Sequence, residues 1–115
     1  MSDTIIDRAV YAELQETAGA AFVAELVDTF VQEAPGMLAE LRRARAAGDA
    51  DTFRRAAHSL KSNGNTFGAV QLAALARAFE LNGLSAEPAS DLSALAVLDA
   101  SYARAAASLK DLRHG

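Results

Sequence analysis

Residues 23–44 read VAELVDTFVQEAPGMLAELRRA. Apolar side chains return at intervals of three and four, at Val23, Leu26, Val27, Phe30, Ala34, Met37, Leu38 and Leu41. That spacing gathers them into one stripe of an amphipathic helix. Pro35 falls inside the stretch, where it removes one backbone donor. Because the apolar spacing continues past it to Leu41 and Ala44, the proline is expected to bend the helix rather than end it.

The same three-and-four spacing extends in both directions from this helix, and the alternation of a strand appears nowhere. Ala, Leu, Arg and Glu, all good helix formers, dominate the composition. Upstream, a short first helix carrying Ile6, Val10 and Leu14 should stop at Gly19, which suits a left-handed cap. Downstream, Gly48 should end the long helix, and Asp49 or Asp51 can cap a third that runs to about Gly64 or slightly beyond. A fourth helix starts near Gly68, carries Leu72, Leu75, Ala76 and Phe79, and gives out at Asn82 and Gly83. Residues 85–90, including Pro88, read as a loop. From Leu95 a last helix has apolar positions at Leu98, Tyr102, Ala105, Leu109 and Leu112, a spacing of about 3.5 that suits a seam between nearly antiparallel helices. The expected architecture is all-α: an antiparallel four-helix up-and-down bundle, with the short first helix capping one end.

The totals set limits. A chain of 115 residues holds one hydrophobic core, so residues 1–115 read as a single domain. Hydrophobic residues make up 51% of it, enough for independent folding. With no cysteine there is neither a disulfide framework nor a thiolate metal site. The opening Met-Ser-Asp-Thr lacks the layout of a signal peptide, and no apolar run reaches the roughly 20 residues that span a bilayer. These features point to a cytoplasmic protein without membrane partners. A net charge of -4 argues against a nucleic-acid footprint despite local clusters at Arg42, Arg43 and Arg45 and at Arg54, Arg55 and Lys61. Other proteins are the expected partners, and the chain itself reads as a monomer.

On a helical wheel the third helix gathers Phe53, Ala56, Ala57, Leu60, Gly64 and Phe67 on one arc, which must be the buried face. His58 lies opposite, with Arg54, Arg55, Lys61, Ser62 and Asn65 on its side. An imidazole with a pKa of about 6.5 is largely neutral at cytosolic pH, so one ring nitrogen offers a lone pair able to attack phosphorus. The product would carry close to two negative charges, and Lys61, one turn along the same face, can neutralise part of them. Ser62, Gly64 and Gly68 are small enough to leave room for another protein's active site, although each glycine reads equally well as a helix stop or a packing residue.

Residues 58–69, HSLKSNGNTFGA, closely resemble the signature of histidine-containing phosphotransfer (HPt) domains, H-x-L-K-[small]-x-x-x-x-x-G-A. More loosely, the resemblance covers the short first helix, the long second helix with its internal proline, and the Gly-Asp turn before the signature. It implies that His58 is the phosphoacceptor, that Lys61 supports the phosphoryl group and that Gly68 permits close approach at the helix junction. In that family the partners are response-regulator receiver domains and (hybrid) histidine kinases. The receiver supplies Mg2+ and much of the catalysis, so the resemblance implies a phosphocarrier with no cofactor or metal of its own. One departure is Ser62, where Gly is frequent, with the first glycine displaced to Gly64. No glycine-rich phosphate cradle or carboxylate cluster for Mg2+ and ATP is present in the sequence, so self-phosphorylation from ATP is not expected.

Within that reading, Arg54 and Arg55 fit a receiver's acidic pocket and fit solvated surface charge equally. Ser62, Asn65, Gly64 and Gly68 complete the expected partner face. Ile5 and Tyr11 are candidates for an apolar docking patch and equally for the core. Other chemistry fails on spacing: a carboxylate-bridged metal bundle needs Glu where Arg55 stands, and a zinc protease helix needs Glu where Ser59 stands. A hydrolase would need a nucleophile and an orienting acid near His58, which the sequence does not supply. The rival is an HPt-like adaptor that binds receivers or a partner helix without carrying phosphate; having both His58 and Lys61 counts against it. His114, near the C-terminus, reads as incidental.

Overall fold

Five helices account for nearly all of the computed structural model, which describes residues 5–114. They are α1 (Arg8–Ala18), α2 (Ala20–Ala47), α3 (Ala50–Phe67), α4 (Val70–Asn82) and α5 (Pro88–His114). The first four residues, Gly115 and the side chain of His114 lie outside the described residues, and with them the readings made there. Helix α2 packs on α3 and α5, and α4 packs on the same two, so the four longer helices enclose one core; α1 lies against α2 and α3. No helix among the described residues is long and apolar enough to cross a membrane.

The core follows the apolar stripes. Val23, Val27, Phe30, Ala34, Leu38, Leu41 and Ala44 of α2 are buried, with Leu26 and Met37 at its edge. The arc of α3 expected to face inward is buried at all six positions. Phe53 meets Phe79 of α4 edge-on, with ring centroids 5.6 Å apart, and Phe30 lies 5.4 Å from Phe67. Leu95, Leu98 and Leu109 of α5 are fully buried. Each such leucine contributes about 1.5–3 kcal/mol through its removal from water.

Pro35 lies within α2, which runs through it without interruption. The ring leaves the Val31 carbonyl without its usual amide donor four residues on. The hydroxyl of Tyr102 on α5 donates to that carbonyl at 3.2 Å. Tyr102 thus closes the gap opened by the proline, and burial pushes its phenol pKa up.

The junctions orient the site. Gly48 adopts a left-handed φ of 70° after α2, and Asp49 then caps α3 by accepting from the Thr52 amide at 3.1 Å and the Thr52 hydroxyl at 2.7 Å. Gly68, at φ 79°, ends α3. A Cβ there would sit 2.9 Å from the Asp7 carbonyl oxygen and 3.0 Å from the Val10 Cβ. The Asp7 amide in turn donates to the Gly68 carbonyl at 2.7 Å, which fastens the start of α1 to the α3–α4 corner.

Two sequence expectations need correction. Ile6 is buried but precedes the first helix, because the Asp7 carboxylate caps α1 by accepting from the Ala9 and Val10 amides. Helix α5 begins at Pro88, inside the stretch 85–90 that reads as a loop and well before the first apolar position at Leu95. Proline is favoured at a first helical position, where no amide donor is needed. Asp91 in the first turn is buried, accepts from the Ser85 amide at 3.0 Å and pairs with Arg45 at 2.9 Å. The first two turns are held by polar contacts, which carry no apolar periodicity.

Candidate functional site

His58 sits mid-helix on the outer face of α3, opposite the arc that holds Phe53, Ala57 and Leu60 in the core. Its side chain is 56% exposed. The ring is not free in solvent, however: Nδ1 lies 2.7 Å from Oε2 of Glu80 on α4. The other carboxylate oxygen of Glu80 takes Nζ of Lys61 at 2.8 Å. A single carboxylate therefore joins imidazole and ammonium across the α3–α4 interface.

Hydrogen bonds from Lys61 first and His58 second hold the Glu80 carboxyl below its ordinary pKa. Glu80 is thus a carboxylate at neutral pH and can only accept, which puts the hydrogen on Nδ1. In the neutral imidazole, Nε2 then keeps the lone pair. The arrangement presents a nucleophilic nitrogen of fixed tautomer on an exposed helix face.

Sequence reasoning missed Glu80, yet a signal for it exists. His58 stands ten residues before Gly68 and Glu80 eleven after Ala69. Folding α4 back along α3 at that short junction brings the two to one level. The packing that lets them meet is tight at Gly64. A Cβ there would approach the Ala73 Cβ and backbone nitrogen at 3.1 Å and its Cα at 3.2 Å.

Lys61 is three-quarters covered and engaged with Glu80. Ser62 and Asn65 are exposed beyond it on the outer face. Arg54 is exposed along its length but rests its guanidinium on Gly83, where a Cβ would fall 2.7 Å from Nη2. Arg55 points toward α2 and lines an open groove with Gly36, Met37, Glu40 and Ser59. Gly64 and Gly68 are both buried, and the space they save is filled by Ala73 and by α1 rather than left open to a partner. Gly68 does permit close approach at the helix junction, and the approaching element is α1. Tyr11 is buried and belongs to the core, whereas Ile5 is half-buried at its edge.

An exposed histidine joined to a lysine through one shared carboxylate suits a phosphocarrier. The Hpt domain model matches residues 25–108, and the chain belongs to that family, whose members carry phosphoryl groups and are not classical enzymes. Among solved structures, it is similar to histidine-containing phosphotransfer protein B (HptB) from Pseudomonas aeruginosa PAO1. The TM-score is 0.83 at 28% identity, covering 98% of this chain and 97% of that one. Among curated proteins no match is found.

Proposed function

We propose that this chain relays a phosphoryl group between receiver-domain aspartates through Nε2 of His58. The observation that carries the reading is the hydrogen bond from Nδ1 to Glu80, which leaves Nε2 as the open nucleophile on an exposed face. In the uptake step, Nε2 attacks the phosphorus of a receiver's aspartyl phosphate and the P–O bond breaks toward the aspartate. Lys61, next to the imidazole on the shared carboxylate, is within a side-chain rotation of the new phosphoryl oxygens and offsets their charge.

The proposed docking face surrounds His58, with Arg54 and Arg55 meeting the acidic pocket of a receiver and Ser62 and Asn65 forming a small, polar rim. The partner's receiver holds Mg2+, and a histidine kinase can be the upstream source. In this reading the protein is a cytoplasmic monomer, and its four long helices run alternately up and down, as the two-residue connections at 48–49 and 68–69 favour. An adaptor that only binds receivers would not need the His58, Glu80 and Lys61 set.

Incubation of the protein with a radiolabelled phosphoreceiver and Mg2+ tests the proposal. The label should move to this chain and be lost in acid, and His58→Ala should abolish transfer while keeping the helical circular dichroism spectrum. Transfer that persists in His58→Ala, or none from a broad receiver panel, would sink it.

A further inference from the structure

On the side of α4 turned away from His58 the surface changes character. Ala78 and Asn82 lie roughly 160° round the helix from Glu80 and face α5. An open groove of about 470 Å3 lies there, with Leu75, Ala78 and Phe79 on one wall and Ala94 and Val97 on the other. The α4–α5 seam that carries it starts where Arg104 donates to the Gln71 amide oxygen at 3.1 Å and ends at Asn82 and Ser90. From position 71 to position 82 that seam is about 17 Å long, or three helical turns. Apolar surface continues past the groove: Val97 is 51% exposed on one lip, and Leu81, 62% exposed, extends it outward along α4 beside exposed Ala74. A surface helix ordinarily turns polar side chains outward, and here two adjacent helices do not.

The charges at the rim select what covers this face. Asp91, the one carboxylate in the groove wall, is engaged by Arg45 at 2.9 Å and by the Ser85 amide at 3.0 Å. Glu87, at the loop end, accepts from the Ser90 hydroxyl at 3.5 Å. The remaining rim charges are cationic. Arg77 stands on α4 between Ala74 and Leu81, Arg104 stands on α5, and the Arg54 guanidinium abuts Gly83 at the loop end. Among the described residues none of these three arginines forms an ion pair. A two-fold contact with a second copy, centred on Ala78 and Val97, would bring Arg77 of both copies together, a like-charge pairing that works against it. An apolar helix flanked by carboxylates meets no such penalty.

We propose that the α4–α5 groove docks an amphipathic helix of another protein, about three turns long, with apolar side chains spaced by three and four and acidic residues along its flanks. Its apolar anchors enter between Leu75, Phe79 and Val97, and its carboxylates reach Arg77 and Arg104. Because the groove and His58 lie on opposite sides of α4, the helix leaves the imidazole accessible. The site stands on the α4–α5 surface alone and does not rest on the phosphotransfer reading.

The probe is a labelled synthetic helical peptide of three to four turns, with leucines at i, i+4 and i+7 flanked by glutamates; a matched peptide carries lysine for each glutamate. In fluorescence anisotropy the glutamate peptide should bind native protein about tenfold more tightly than the lysine peptide, and the order should invert for the double variant Arg77→Glu, Arg104→Glu. Val97→Asp, at an exposed position, should keep the helical circular dichroism spectrum and weaken the glutamate peptide about tenfold. Amide NMR shifts should centre on Leu75, Ala78 and Val97 and leave the residues flanking His58 on α3 in place. No binding of either peptide, equal binding of both, an order that does not invert, or shifts centred elsewhere would overturn the inference. A native chain that sediments as a dimer and becomes monomeric in Val97→Asp would overturn it as well, because the occupant would then be a second copy.

Discussion

Removing the Tyr102 hydroxyl should destabilise this protein only because Pro35 is present. Tyr102→Phe deletes one oxygen and leaves the ring in its edge-on contact with Phe30, 5.7 Å between centroids. What is lost is the 3.2 Å bond to the Val31 carbonyl, whose helical donor the proline lacks. A lost hydrogen bond that strands a partly buried acceptor costs about 1–2 kcal/mol. For a chain of this length that lowers Tm by about 4–8 °C. Pro35→Ala restores an amide at position 35 that can bond the same carbonyl, so in that background Tyr102→Phe should cost no more than about 0.5 kcal/mol. The four proteins form a double-mutant cycle, read by urea denaturation, with a coupling of about 1 kcal/mol. An equal cost in both backgrounds would refute the claim that Tyr102 answers for the proline's missing donor.

The two mid-helix glycines make a matched pair. Gly36→Ala meets nothing within 4 Å and should stabilise by about 0.5–1 kcal/mol, whereas Gly64→Ala must push against the Ala73 backbone and should destabilise by about 1 kcal/mol net in the same urea titration. Gly68→Ala combines a left-handed φ with a clash against Asp7 and should cost at least about 2 kcal/mol, with amide exchange rising first in α1. Lys61→Ala should leave the fold intact and shorten phosphohistidine lifetime or slow transfer; unchanged values for both would remove Lys61 from the site. Glu80 has a lowered folded-state pKa, so its contribution to stability is complete above its unfolded value and is lost as pH falls through the folded one. The difference in urea midpoint between native protein and Glu80→Gln should therefore shrink as pH falls from about 6 to about 3.

What could be read from the chain follows from which interactions leave a periodic trace. The buried arc of α3 was legible residue by residue, since burial imposes the helical period and also fixes His58 on the opposite face. The start of α5 was not, because Pro88 and Asp91 hold it through a cap position and an ion pair instead of an apolar stripe. Glu80 was hidden for a related reason. Its role depends on which residue α3 presents at the same level across a turn, a pairing that single-helix wheels do not contain. Gly64 and Gly68 show the converse, since their small size was evident but whether it served a partner or the fold needed the neighbouring backbone.

Nitrogen NMR of the phosphorylated protein tests the central claim most directly, because the two N-phosphoryl isomers of histidine give distinct ring-nitrogen patterns. The expected result is one phosphoryl group, on Nε2 of His58, the nitrogen left open by the bond from Nδ1 to Glu80. Phosphate on Nδ1, or on any other residue, would contradict it.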